Sequence, residues 1–362
     1  MIKKNAKINL AIICGGPSSE HEVSLASAKS VISNLDQKKY NILLIVIDRQ
    51  GKWLLGPRGE EYLTANTKVK TIANQLAKEE SQSLINISSK ELTNFQEGDL
   101  GGQKIDLVLP IGHGQYIEDG KLQGMLDMLG IPYVFSGTLT SALAMNKHLT
   151  KIIAQAAGLT ICLEQILKSN DQVDLDKIIT DLGLPVVIKP VELGSSVGIS
   201  IPKNKADLEV ALANSFKLTN TIMVEKYVKG RELTCAVLGN DQPQTLPVVE
   251  IIPKVSEFFD YKAKYEVGGS EEICPANIPE AIRNQVQKQA IKIFQALGCS
   301  DLARADFIWD EKNNQLYFLE INTIPGMTQT SLVPQEAKVQ GLEFPQFLDT
   351  LITEALKRYN KE

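Results

Sequence analysis

Three apolar runs in the first third of the chain each end in a polar or glycine-rich loop. They occupy residues 8–13, 42–47 and 107–111, and a helical pattern at 23–35 separates the first two. Apolar runs of strand length with helices between them predict a parallel sheet, hence an α/β fold. In such sheets the ligand-binding residues collect at the carboxyl ends of the strands. We therefore expect an N-terminal α/β domain that contributes a binding site.

The length and charge of the chain restrict its class. A chain of 362 residues exceeds what one core usually serves, so we expect two or three compact units, with a boundary near Ser136 before a predicted helix at 141–157. The net charge of -5 and the scattered lysines argue against a nucleic-acid partner. No apolar run is long enough for a membrane span, and the polar start lacks a signal peptide, so we expect a cytoplasmic protein.

Cysteine and histidine do not suggest a metal centre of the zinc type. The five cysteines are widely spaced and form no C-x-x-C pair, and the three histidines lack metal-ligand spacing. We expect free thiols, and a metal ion held by oxygen ligands if one is present.

A predicted hairpin near the C-terminus carries the clearest chemical signal. Its strands are residues 302–309 and 316–322, and a turn centred on Asn313 places Asp306 opposite Glu320. Because side chains alternate along a strand, Arg304 and Asn322 share the face of the two acids. The same alternation places the apolar residues on the opposite face, namely Ala303, Ala305, Phe307, Leu319 and Ile321. Facing carboxylates repel unless a cation lies between them, and carboxylate and amide oxygens suit Mg²⁺. The alternative is a solvated face that Arg304 neutralises.

The turn directly after this hairpin adds to the signal. Residues 325–328 read Pro-Gly-Met-Thr, and backbone N–H groups in such a turn could stabilise a developing oxyanion. This position favours a catalytic role over a solvated surface.

A second signal is Lys189, at the end of an apolar strand and before the glycine-serine loop at 194–198. An ammonium group and loop amides suit phosphate oxygens. An ordinary surface lysine is the alternative, and neither a P-loop nor a G-x-G-x-x-G motif occurs.

Two N-terminal loops carry weaker signals. Glu20 and Glu22 flank His21 at a predicted helix start, where serine and acidic residues commonly cap a helix. His113 lies between two glycines after the third apolar run, which leaves it accessible to a ligand, although a lone loop histidine is usually structural.

Five motifs, taken in their order along the chain, allow one interpretation of all these signals. They are G-G-P-S-S-E-H-E-V-S-L, G-H-G with E-D-G-x-L-Q-G, K-P with G-S-S-V-G, Y-K-A-K-Y, and L-E-I-N-T-I-P-G-M-T with S-L-V-P. Between residues 10 and 334 this series resembles the D-alanine:D-alanine ligase family of the ATP-grasp superfamily. The resemblance implies a three-domain ATP-grasp architecture with an N-terminal parallel-sheet (pre-ATP-grasp) domain. The implied domains are residues 1–135, 136–221 and 222–362, with a lid loop at about 254–274.

The resemblance also implies roles for individual residues. Glu20 and His113 would bind the first D-alanine, Arg304 and the Gly326 amide would hold its carboxylate and the later oxyanion, and Ser195 would link Glu20 to Tyr265. Ser331 and Leu332 match the site of the second substrate, and Asp306, Glu320 and Asn322 match Mg²⁺ ligands. The implied ATP-binding residues are Lys147, Lys189, Ser196, Glu225, Lys226, Val228, Glu232, Lys264 and Asn322.

The implied reaction joins two D-alanine molecules through an acyl-phosphate, with release of ADP and phosphate, for peptidoglycan precursor synthesis. Its implied cofactors are ATP and two Mg²⁺ ions, with Mn²⁺ as a substitute, and its implied assembly is a homodimer. A lid bearing Lys264 and Tyr265 would exclude water from the acyl-phosphate.

Other functions are compatible with the same motifs. A ligase that takes D-lactate as second substrate is the nearest alternative, but relatives of that kind usually carry phenylalanine in place of Tyr265. Another ATP-grasp carboxylate-amine ligase and a non-catalytic nucleotide-binding sensor are further alternatives. A dinucleotide dehydrogenase is disfavoured, because the first turn lacks the glycine fingerprint.

Overall fold

The computed structural model describes residues 7–67, 99–100, 103–194, 197–254 and 268–360. The chain divides into two compact units. Unit 1 comprises Met1–Thr138 and Ile324–Glu362, and unit 2 comprises Leu139–Thr323. Residues from Ile324 onward thus join unit 1, although the sequence grouped them with the C-terminal domain. The three-domain division stays a prediction.

Unit 1 is built on the expected parallel sheet. The three apolar runs form the strands β1, β2 and β6, in which β1 pairs in parallel with both neighbours, and the short β3 adds an antiparallel edge. A separate two-stranded sheet joins β4 and β5. The strands are β1 Ile8–Gly15, β2 Tyr40–Ile47, β3 Trp53–Leu55, β4 Asp99–Leu100, β5 Gln103–Lys104 and β6 Leu107–Ile111.

The end of β1 requires glycine. Gly15 has φ +90°, and a Cβ there would lie 2.2 Å from the Ile47 carbonyl oxygen. Ser24, on the helix that follows, accepts a hydrogen bond from Gly15 N at 2.7 Å and donates to Ile111 O at 2.5 Å. This serine ties the carboxyl ends of β1 and β6 together, where the predicted ligand loops begin. The first three helices of the unit are α1 His21–Asn34, α2 Pro57–Asn66 and α3 Lys121–Met128.

A single helix was predicted for residues 141–157, and the structure has two, α4 Thr138–Met145 and α5 Lys147–Ala156. Asn146 separates them with an extended backbone, and its side chain accepts a hydrogen bond from Leu149 N. An N-cap of this kind satisfies a backbone donor at the start of α5, which the apolar periodicity did not reveal.

Unit 2 contains two sheets with separate cores. The first is antiparallel in the order β7-β9-β8, and its core includes residues of the helices α6 and α7. Because β9 begins at Thr221, this sheet extends across the predicted boundary between residues 221 and 222. Its elements are β7 Glu164–Lys168, α6 Leu175–Leu182, β8 Val186–Pro190, α7 Lys205–Ser215 and β9 Thr221–Lys226.

The second sheet has the order β13-β12-β10-β14-β15, and β11 pairs with β10. Helix α8, Glu280–Ala296, buries Ile282, Val286, Ala290 and Ile293 in the core of this sheet, a spacing that forms one helical face. Its strands are β10 Arg231–Leu238, β11 Gln244–Thr245, β12 Val249–Pro253, β13 Ser270–Ile273, β14 Leu302–Asp310 and β15 Gln315–Asn322.

Part of the predicted lid loop at 254–274 is a strand. Residues 270–273 form β13 and pair with β12, while residues 255–267 lie outside the described part. The chain ends, in unit 1, with α9 Leu332–Val339 and α10 Phe344–Tyr359. Within the described residues, we find no helix with the length and apolarity that a membrane crossing requires.

Candidate active site

The C-terminal hairpin has the register that the sequence predicts at its ionic positions. Asp306 pairs with Glu320, and Arg304 pairs with Asn322. The register shifts by one residue between Asp306 and Phe307, so that Phe307 pairs with Phe318. A bulge of this kind inserts one unpaired residue. The prediction that Leu319 faces the core is therefore wrong, and Phe318 is buried instead. The rings of Phe318 and Phe307 meet edge to face, with their centroids 5.8 Å apart.

Asp306 accepts hydrogen bonds from three side chains. The Arg304 guanidinium donates to its two oxygens at 2.9 and 2.8 Å, Asn322 Nδ2 donates at 3.1 Å, and Thr234 Oγ1 donates at 2.5 Å. The carboxylate is buried, and these four bonds fix its orientation. Thr234, on β10, was not predicted, because its partner strand is distant in the sequence.

The acidic face fits a hard divalent cation. Two carboxylates face each other there, one of them buried. Each oxygen of Asp306 already accepts two hydrogen bonds, so a cation bound to this carboxylate would take the place of at least one of these donors. Because Asn322 donates through its nitrogen to Asp306, its amide oxygen is the atom left for a cation. Among the described residues, no group of three or more His, Cys, Asp and Glu side chains could hold a metal. The Mg²⁺ ligand set of two acids and an amide therefore stays a prediction.

A buried cluster of lysines and glutamates lies in the three-stranded sheet. Lys189 forms an ion pair with Glu225, and Lys151 of α5 forms a second ion pair with the same carboxylate. Burial lowers the pKa of Lys189 to about 7, and the neighbouring charge of Lys151 adds to the effect. Burial likewise lowers the pKa of Lys151. An anionic ligand that approached Lys189 would favour its protonated form.

Lys147 lies at the start of α5 and is buried. Its Nζ donates to Leu193 O at 2.5 Å, and its backbone N donates to Val191 O at 3.1 Å. These bonds hold Lys147 beside the start of the glycine-serine loop. Ser195 and Ser196 of that loop lie outside the described residues, as do Lys264 and Tyr265.

The remaining predicted nucleotide residues follow one another along the connection between the two sheets of unit 2. Glu225 and Lys226 end β9, Val228 lies in the connection, and Glu232 lies at the start of β10. Glu225 is buried, whereas Lys226 is exposed. A single short segment therefore carries all four residues.

In unit 1, Glu20 and His113 lie at the carboxyl ends of β1 and β6. Glu20 is buried at the N-cap of α1 without a side-chain capping bond, so the capping interpretation does not explain it. His113 Nδ1 donates to Ile324 O at 2.9 Å, which leaves the buried Nε2 as an acceptor with no partner among the described residues. His21, by contrast, is bonded through both nitrogens, to Gly16 O and the Tyr62 hydroxyl.

Glu118 joins this group, although its role was not predicted. Its Oε2 accepts from Gly114 N at 3.0 Å. Burial raises the pKa of Glu118, the Glu20 charge raises it further, and the His113 charge lowers it. The motif contained Glu118, but its spacing alone did not show that it lies beside Glu20.

The turn after the hairpin also lies in unit 1. Ser331 Oγ accepts from Thr328 N at 3.1 Å and contacts Thr328 Oγ1 at 2.7 Å. A Cβ on Gly326 would lie 2.9 Å from Ser331 Oγ, so any larger residue at this position would displace the Ser331 side chain. Ser331 is the N-cap of α9, and the buried Leu332 is its first residue.

Family models match both parts of the chain. A family model described as "D-ala D-ala ligase N-terminus" matches residues 9–136, and one described as "D-ala D-ala ligase C-terminus" matches residues 153–353. The chain is 42% identical over 354 residues to a D-alanine–D-alanine ligase of Desulfotalea psychrophila, covering 97% of this chain and 96% of the relative.

Solved structures are similar over the same length. The VanG D-Ala:D-Ser ligase of Enterococcus faecalis superposes with a TM-score of 0.79 at 34% identity, covering 97% of this chain and all (100%) of that one. A D-alanine–D-alanine ligase of Bacillus anthracis complexed with ATP superposes with a TM-score of 0.74 at 29% identity. The match covers 98% of this chain and 99% of that one.

Proposed function

The chain belongs to the D-alanine–D-alanine ligase family, and from this premise we propose that it joins two D-alanine molecules into D-alanyl-D-alanine, with conversion of ATP to ADP and phosphate. The product would feed peptidoglycan precursor synthesis. The observation that carries the proposal is the buried Asp306 carboxylate, fixed opposite Glu320 beside Arg304 and Asn322.

The reaction has two steps. An oxygen of the first D-alanine carboxylate attacks the γ-phosphorus of ATP, and ADP leaves with the electrons of the broken P–O bond. The neutral amine of the second D-alanine then attacks the acyl carbon. Phosphate leaves with the electrons of the broken C–O bond, and the nitrogen gives up one proton, which the departing phosphate accepts. Phosphoryl transfer depends mainly on positioning and on charge stabilisation, which fixed ionic side chains supply.

Residues of unit 2 would bind the nucleotide. Lys147 and Lys189 would supply positive charge to the phosphate oxygens; Leu193 O holds the first, and the buried Glu225 holds the second. Glu225 and Glu232 would accept hydrogen bonds from the adenine amino group and the ribose hydroxyls. Lys226, Val228, Ser196 and Lys264 are further proposed contacts to the nucleotide.

Asp306, Glu320 and Asn322 would hold Mg²⁺, with Mn²⁺ as a substitute. The bound metal would supply positive charge that offsets the charge developing on the phosphate oxygens. Arg304 would stabilise the oxyanion of the tetrahedral intermediate, and its paired Asp306 keeps the guanidinium plane fixed.

Residues of unit 1 would bind the amino acids. The Glu20 carboxylate suits the ammonium of the first D-alanine, and His113 offers its Nε2 lone pair close to that end of the sheet. The Gly326 amide would stabilise the oxyanion, while Ser331 and Leu332 would contact the second D-alanine. Ser195 and Tyr265 would orient Glu20, a role that rests on the sequence motif alone.

Three broader properties also remain proposals. We propose a homodimer, a cytoplasmic location, and two metal ions with the nucleotide, each supported by family membership.

The test is phosphate release from ATP and Mg²⁺ with D-alanine alone, L-alanine alone, or D-alanine with D-lactate or D-serine, with products identified by mass. Dipeptide from D-alanine alone supports the proposal. If the mixed product with D-serine or D-lactate forms in preference to D-alanyl-D-alanine, the second substrate must be reassigned. D-serine is included because the chain is similar to a D-Ala:D-Ser ligase. Nucleotide binding without turnover would favour a sensor.

A further inference from the structure

Lys151 is a fully buried lysine that no step of the proposed reaction uses. It lies on α5, one turn after Lys147, and its exposure is 0%. A buried ammonium is unstable unless carboxylates compensate it, and truncating one member of a buried ion pair is costly. We therefore asked which carboxylates compensate the buried charge of Lys151.

Two of those groups are carboxylates that face each other. Glu164 on β7 and Glu225 on β9 are register partners in the antiparallel sheet. Side chains of such partners are about 5 Å apart at Cβ, and like charges in this position repel. Glu225 is 3% exposed, so water does not screen the repulsion effectively.

Lys151 is placed to compensate this repulsion. Its ammonium pairs with Glu225 Oε1 and lies 3.8 Å from Glu164 Oε2. The second oxygen of each carboxylate has its own partner. His148 Nδ1 lies 2.6 Å from Glu164 Oε1, and Lys189 pairs with Glu225 Oε2. The other charged or titratable groups that act on Lys151 are Lys147, Cys162 and Glu320.

The charge state of Glu225 determines which base it can accept. An ionised carboxylate accepts hydrogen bonds only, whereas a protonated one can also donate. Adenine presents an amino donor at the position where guanine presents a carbonyl acceptor. An ionised Glu225 therefore favours adenine, and a protonated Glu225 tolerates guanine.

We propose that Lys151 is a positioning residue that keeps the Glu225 carboxylate ionised and fixed against Glu164, and thereby sets the preference for adenine over guanine nucleotides. The proposal rests on the proposed function in one respect, namely that Glu225 contacts the base. Lys151 itself does not touch the nucleotide in this scheme. It acts through Glu225.

The test measures binding of Mg-ADP and Mg-GDP by calorimetry, which needs no turnover. Lys151→Met keeps the length of the side chain and removes its charge. We expect ADP affinity to fall by about tenfold or more, since a hydrogen bond to a charged group is lost, and the ADP-to-GDP affinity ratio to fall as well. Lys177→Met is the control, because Lys177 is an exposed lysine of the same unit, paired with Asp181.

A charge-balanced double variant separates this effect from lost packing. Lys151→Met with Glu164→Gln removes one cation and one of the two facing carboxylates, which leaves Glu225 with Lys189. We expect it to recover most of the ADP affinity and of the ADP-to-GDP ratio. If Lys151→Met does not fold, this double variant and Glu164→Gln alone carry the test.

Two results would overturn the inference. One is a Lys151→Met protein that folds and retains the wild-type ADP-to-GDP ratio. The other is a folded double variant that binds the two nucleotides without preference. Failure of the proposed function is a different observation, namely wild-type protein that binds ADP yet releases no phosphate from ATP in the presence of D-alanine.

Discussion

Arg304 and Asp306 lie two residues apart on β14 and form a two-pronged ion pair, with Nε and Nη2 donating to the two carboxylate oxygens at 2.9 and 2.8 Å. These two bonds fix the orientation of both groups beside Glu320 and Asn322. A positive group and a negative pair are thus fixed before any ligand binds. Preorganised charge of this kind is what phosphoryl and acyl transfer require.

Asp306→Asn tests the acidic face. The amide keeps the shape of the side chain but removes the charge that would hold Mg²⁺. We expect D-alanine-dependent phosphate release to fall by at least about 100-fold, the scale of one preorganised electrostatic contact. Asp310→Asn, at the end of β14 beside the turn of the same hairpin, is the control and should retain activity. Comparable activity of the two variants would contradict the metal role.

The lowered pKa of Lys189 predicts a proton uptake. Its pKa is about 7 in the folded protein, against 10.5 for an ordinary lysine, so the folded protein is largely neutral at this position at pH 8. Phosphate oxygens favour the ammonium form, hence ADP binding should take up close to one proton at pH 8 and far less at pH 6. Calorimetry of ADP binding in buffers of different ionisation enthalpy measures this number.

Lys189→Met should abolish that uptake, and Lys177→Met should leave it unchanged. The same pKa shift determines how the stability of the folded protein depends on pH. Between pH 7 and 10.5 the unfolded chain binds a proton that the folded chain does not, so this group contributes an unfolding free energy that rises with pH. Uptake that persists in Lys189→Met would assign the proton to another group.

His113→Asn separates the two nitrogens of the ring. Asparagine can still donate to Ile324 O, in place of Nδ1, but it offers nothing at the position of Nε2. We expect kcat/KM for D-alanine to fall by about 10- to 100-fold, the scale of a hydrogen bond to a charged group, with ADP affinity unchanged. A thermal midpoint close to the wild-type value would show that the fold is intact. Weakened ADP binding would contradict a role confined to D-alanine.

Gly326→Ala tests the turn after the hairpin. The added Cβ would lie 2.9 Å from Ser331 Oγ and 3.4 Å from Ser331 Cβ, so Ser331 must move. We expect kcat to fall while the thermal midpoint changes little, because the turn is local. Gly124→Ala is the matched control; its Cβ would lie 3.6 Å from Thr138, and alanine in a helix is favoured by about 1 kcal/mol. Full activity of Gly326→Ala would remove the turn from the proposed mechanism.

The sequence by itself determined the elements whose patterns are local. The apolar runs that became β1, β2 and β6 were predicted as parallel strands, because buried strands between helices have few other arrangements. The facing of Asp306 and Glu320 followed from alternation along a hairpin whose two strands are adjacent in the chain. Five ordered motifs indicated the family, which the comparisons confirmed.

Only the tertiary structure decided relationships between distant segments. The bulge after Asp306 replaced Leu319 with Phe318 in the core, since packing against Phe307 decides which side chain is buried. Asn146 broke a predicted helix in two. The approach of Glu164 to Glu225, and of Lys151 to both, depends on how β7, β9 and α5 pack. Strand pairing across some sixty residues reflects the free energy of the whole core, which no local pattern encodes.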